Sequence, residues 1–163
     1  MKRCEQKIDN YVAYDNLLCA AVDWIRTSSD QLTTCSDIRG DKLSLTAQLQ
    51  RITELADLMP EGHAKVETCV NAATVLAGDF DGFGRQAVHA GVEELQRMWE
   101  QLEKDMIQAK QLLNDALEQW NIHEEHCHEL REWIQSMEKS VKQKVAATNV
   151  DTIQFLVKSY EVP

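Results

Sequence analysis

The chain has 163 residues, 44% of them hydrophobic, which suits one domain with a packed core and excludes a disordered tail. Its 27 acidic against 17 basic residues give a formal net charge of −10, which disfavours nucleic acid and anionic membrane surfaces and favours protein partners with a basic element. Five scattered cysteines without a CxxC, no apolar run near the ~18 residues of a membrane span, and no apolar signal core in "MKRCEQKIDNYV" predict a reducing, cytoplasmic setting without direct membrane contact in this stretch.

Apolar residues recur at alternating steps of three and four, the period of a helix that buries one stripe. The first series is Tyr14, Leu18, Ala21, Ile25, Ser28, Leu32 and Cys35, widened by Leu17 and Trp24. It predicts a helix over about 5–36 that ends at "SDIRGDK", where Gly40 marks a turn and Asp41 is placed to cap the next helix.

The second series keeps one phase through Leu45, Leu49, Ile52, Ala56, Met59, His63, Val66, Val70, Ala73 and Ala77. Pro60 interrupts it, lacking a donor and pressing on the preceding turn. Because the phase survives, the pattern predicts one helix over about 42–77, kinked near "MPEG". The glycines and aspartates of "AGDFDGFG" then predict a loop.

The third series runs Val88, Val92, Leu95, Trp99, Leu102, Met106, Ala109, Leu113, Ala116 and Trp120, then His123, Cys127, Leu130, Ile134, Met137 and Val141. No Gly or Pro interrupts residues 92–162. Two shorter helices cannot cover such a stripe along its whole length, so its distal part must belong to another unit.

That distal part matches the start of the chain. "DWIRTSSDQL" at 23–32 aligns with "EWIQSMEKSV" at 132–141, which pairs Trp24 with Trp133 and Ile25 with Ile134 at an offset of 109 residues. Three stripes joined by two short loops predict an all-α fold, a left-handed three-helix coiled-coil bundle. Its core residues are Trp24, Ile25, Leu49, Ile52, Val66, Val70, Leu95, Trp99, Leu102 and Trp120, with Trp24 meeting Trp99. The third helix, about 85–122, passes unbroken into the first helix of a second, truncated unit. A complete unit thus covers 5–122; residues 123–163 supply the next first helix and the start of its second, with His123, Cys127, Leu130, Trp133 and Ile134 at the junction.

The tryptophan of "DWI" midway along the first helix, that of "RMWEQL" early in the third, the unit length and the shared helix together resemble the spectrin repeat. Within that family, "LADLMPEGHAKVE" looks most like repeats of nesprins.

"NIHEEHCHEL" at 121–130 gathers three histidines, a cysteine and three glutamates. His123 and Cys127 share a helical face, whereas His126 and His128 project elsewhere, and the zinc-protease pattern H-E-x-x-H is missing. Packing at the repeat junction is therefore favoured over metal, and no metal or other cofactor is expected. Asp79 and Asp81 in "GDFDGFG" lack the further ligands of a calcium loop, and no catalytic motif is present, so no catalytic residue is assigned.

The resemblance implies a non-catalytic cytoskeletal scaffold or spacer, a rod with docking surfaces. Likeness to nesprins implies a place in the linkage of the nuclear envelope to actin: cytoplasm, cytoskeleton, and outer nuclear membrane through an anchor outside this stretch. Residues 93–132 hold 11 acidic against 4 basic side chains, net −7, and Glu100, Glu103 and Glu118 form the expected face for a basic element of a cytoskeletal or actin-regulatory protein. Actin itself is acidic, which argues against direct contact. The alternative is self-association, a homodimer through 123–163, because the stripe Leu130, Ile134, Met137 and Val141, continued by Ile153, Leu156 and Tyr160, has no partner helices in the chain.

Overall fold

The computed structural model describes the backbone of residues 2–160 and the side chains of residues 4–160. The fold is all-α, without strands among the described residues: α1 (Lys2–Cys35), α2 (Lys42–Asp57), α3 (Met59–Asp79) and α4 (Phe83–Tyr160). The chain divides into two units, Met1–Leu117 and Glu118–Pro163.

The first unit is a helical bundle. α1 buries Tyr14, Ala21, Ile25, Ser28 and Leu32, and α4 buries an unbroken series at steps of three and four from Val88 to Leu113. Such spacing sets one stripe of each helix against the others and leaves the charged faces in water. Trp24 and Trp99 stand with ring centroids 6.0 Å apart at 35°, which ties α1 to α4. The Tyr14 hydroxyl donates to the Val88 carbonyl at 3.4 Å, a second tie between the same helices.

The segment expected to form one kinked helix is divided at Leu58. The Leu58 amide turns back to the Leu55 carbonyl at 3.1 Å, and the Leu58 carbonyl starts α3 by accepting from Glu61 and Gly62. Pro60 thereby falls in the first turn of α3, where a missing N–H leaves no helical bond unmade. The phase passes the break but its centre differs from the expected one. Leu55, Gly62, Cys69 and Leu76 are buried, rather than Ala56, His63, Val70 and Ala77, one position further on. Two of these shifts bury leucine instead of alanine, a gain in apolar area. At Gly62 the cause is shape. A Cβ there would stand 2.2 Å from the Trp24 ring, so the indole fits over bare backbone. His63, displaced from the seam, lies edge-on to Trp99 at 5.7 Å.

Ile25, Ile52, Val66, Leu95, Trp99 and Leu102 are buried, and Trp24, Leu49 and Val70 are half-buried. Trp120, expected in the core, is half-buried and lies in the second unit, where its ring stands edge-on to His123 at 6.0 Å.

The loops behave as their residues dictate. Gly40 and Gly82 have φ of +148° and +59°, which a side chain would strain. The Asp41 carboxylate accepts from the Ser44 amide at 2.9 Å and caps α2. Hydrogen bonding from the Ser44 side chain first, and from its backbone amide second, holds the Asp41 carboxyl below its ordinary range. A carboxyl depressed on folding contributes stability that is complete above its unfolded pKa of ~3.9 and is lost as pH falls through the folded value. Asp41→Ala is therefore expected to lower the thermal midpoint at neutral pH, with the two proteins converging in strong acid. Scanning calorimetry across pH checks this; a gap that stays constant into acid contradicts it.

At the other loop, Arg85 donates to the Ala77 and Phe80 carbonyls and pairs with Asp81 at 3.7 Å, while Lys7 donates to the Asp79 carbonyl at 2.6 Å. The two aspartates thus sit in a pinned α3–α4 turn, with Asp81 turned to a guanidinium.

Candidate docking surface

In the second unit α4 continues as a helix to Tyr160. The start of a further helix was expected within 123–163; the described residues to Tyr160 all belong to α4, whose course no Gly or Pro interrupts after Gly91. The apolar stripe meets water. Leu130, Trp133, Ile134, Met137 and Val141 are 43–60% exposed, whereas Ile25 and Leu32, which occupy the matching places on α1, are 1% and 4% exposed. Ile153, Leu156 and Tyr160 are exposed further along the same helix. Trp133, Ile134, Met137 and Val141 line a shallow groove flanked by Glu138 and Lys142. A run of apolar side chains of this extent on a helix is the usual form of a surface that another helix covers.

The histidine-rich turn is arranged along two faces. His123 is exposed and Cys127 half-buried, with Nε2 and Sγ 3.6 Å apart. His128 instead pairs with Glu132 at 3.3 Å, one turn on. Among the described residues no group of three or more potential ligands converges within the chain. Around this pair, the Trp120 ring stands beside His123, three residues before it on the same helix.

The acidic residues chosen from the sequence are solvated. Glu100 and Glu103 are exposed on the first unit, and Glu118 is exposed on the second. Glu94 is engaged locally: a 2.6 Å contact with Arg97, side-chain hydrogen bonding above all, holds its carboxyl below the ordinary range. Burial raises the Cys69 thiol above its ordinary range, so this cysteine belongs to the core and not to any reactive surface. Sequence reasoning missed the aromatic cluster at the α3–α4 turn, where Tyr11 and Phe80 meet edge-on at 6.2 Å and Phe83 is 89% exposed. Tyr11 is far from Phe80 and Phe83 in the chain, and only the fold brings it to their turn.

No family model matches the chain. It is 28% identical over 143 residues to Muscle-specific protein 300 kDa of Drosophila melanogaster, which covers 88% of this chain and 1% of that protein. It is 22% identical over 121 residues to human Nesprin-3, covering 74% of this chain and 11% of that protein. The likeness is to spectrin-repeat-like giants. The chain thus spans a small part of the curated relatives it matches, and both matched spans, 143 and 121 residues, are longer than the first unit, Met1–Leu117. Among the described residues no helix is long and apolar enough to cross a membrane.

Proposed function

We propose that the chain is a non-catalytic scaffold segment of a cytoskeletal linker. The observation that carries this is the similarity running through 88% of the chain to a protein of which it spans 1%, which is how one module of a long array matches. Support comes from the all-α bundle and from α4, a single helix that contributes residues to both units. The name Nesprin-3 among the relatives accords with a role in the linkage between the nuclear envelope and actin.

The docking chemistry follows from charge. Glu100, Glu103 and Glu118 recruit a basic element of a cytoskeletal or actin-regulatory protein, steered by the net −7 of residues 93–132. Reversing all three to Lys is expected to abolish capture of such proteins from a cytoskeletal extract, and raised salt is expected to weaken capture by the native chain. Capture that is indifferent to both contradicts the electrostatic reading. A second reading, pairing with another chain through 123–163, is favoured by the exposed stripe from Leu130 to Val141.

A further inference from the structure

We propose that α2 is a detachable helix: it leaves the first unit in one piece, hinged at Gly40 and at Leu58, while α1, α3 and α4 stay packed together. The break at Leu58 permits this. The Leu58 carbonyl starts α3 afresh by accepting from the Glu61 and Gly62 amides, and Pro60 in that first turn has no amide to satisfy. Melting α2 therefore takes no backbone hydrogen bond away from α3. At the other end, residues 36–41 are not helical, and Gly40, with φ of +148°, lies one residue before the Asp41 cap. Both ends of α2 are thus already places where the helical ladder stops.

The two helices are held unequally. α3 buries Gly62, Val66, Cys69, Ala73 and Leu76, receives Trp24 at Gly62 and sets His63 against Trp99. Its far end is tied twice, because Lys7 of α1 donates to the Asp79 carbonyl and Arg85 of α4 donates to the Ala77 carbonyl. α2 buries Leu45, Ile52 and Leu55. Its polar side chains bond within the helix itself: Thr46 donates to the Lys42 carbonyl, Gln50 to the Glu54 carboxylate and Thr53 to the Leu49 carbonyl. Gln48 Oε1 is buried with no hydrogen-bond partner among the described residues, which opposes the closed position, since water satisfies this oxygen once α2 opens. A groove of about 540 Å³ runs between the two helices, lined by Thr27, Gln31 and Cys35 of α1 and by Arg51, Glu54 and Leu58. The α1–α2 seam is therefore loosely filled and forfeits dispersion contacts. A helix of 16 residues has little stability off the bundle, so α2 melts as it leaves and uncovers the apolar faces that Leu45, Ile52 and Leu55 close. The first unit thereby carries a yield point at this seam, a property of the fold that stands apart from any cytoskeletal role.

Hydrogen exchange of the full chain in increasing, sub-denaturing urea tests the detachment. The amides of residues 46–57 are expected to share one opening and to exchange at least ~100-fold faster than those of residues 66–76 in α3. Their exchange should depend weakly on urea, because opening one helix exposes little surface, whereas that of α3 should depend steeply. Val66→Ala separates the two processes further. Val66 keeps its packing while α2 is open and loses it only when the whole unit unfolds. The substitution is therefore expected to speed α3 exchange about tenfold and to leave α2 unchanged. Leu45→Ala, by contrast, is expected to speed both, since Leu45 is exposed in either opening. Circular dichroism confirms that the variants fold, and the urea dependence of the native chain decides the matter without them. Equal rates and equal urea dependence for α2 and α3 overturn the proposal. So does an equal acceleration of both by Val66→Ala, or a graded fraying of α2 from Lys42 inward with no shared opening.

Discussion

Trp99→Ala is expected to cost the first unit about 3–5 kcal/mol, the range for deleting a large aromatic side chain from a core. Small domains have only about 5–15 kcal/mol in total, so this single change brings the unit close to unfolding. Trp99 is 7% exposed and meets Trp24 on α1 and His63 on α3, so its removal leaves a void where three helices join. Partial collapse cannot repair that void, because Trp24 is itself seated against the backbone at Gly62. Urea unfolding followed by circular dichroism measures the loss. Trp120→Ala provides the contrast, since that ring is half-buried in the second unit and a much smaller effect on the same transition is expected. Equal losses for the two tryptophans contradict this core.

Gly62→Ala is expected to destabilise the unit by about 2 kcal/mol, although alanine is the better helix former by about 1 kcal/mol. The added methyl would lie 2.2 Å from one carbon of the Trp24 ring and 2.3 Å from another, and a rigid indole in contact with Trp99 cannot swing aside as a flexible side chain would. Gly78→Ala, in the same helix with nothing within 4 Å of the new methyl, is expected to stabilise by up to about 1 kcal/mol. Opposite signs for one chemical change on one helix isolate the Trp24 seat as the cause. Matching signs in thermal unfolding would show that the indole does not rest there.

The all-α class was legible because three long stripes share the helical period, and the α2 cap was legible because Asp41 directly follows the Gly40 turn. The break at Leu58 was not. A proline in an unbroken phase suggests a bend, yet the chain meets its demand by starting a new helix at Met59, one residue earlier. Neither was the seam of α3 fully readable, because period alone does not choose between Ala56 and Leu55, or between His63 and Gly62. That choice depends on which side chain from another helix arrives opposite, and a glycine that receives Trp24 looks in the sequence like a helix breaker. In the second unit the stripe was readable from "EWIQSM", but its exposure depends on what packs against it.

The central claim is that α4 does two different things: up to Leu113 it is buried in a three-way core, and beyond Glu118 it is a helix with its apolar stripe in water. Native-state amide hydrogen exchange tests this most directly. The account predicts that amides from Val88 to Leu113 exchange only through global unfolding, while those from Leu130 to Tyr160 exchange many orders of magnitude faster through local opening. Equal protection along the whole of α4, or rapid exchange between Val88 and Leu113, would contradict it.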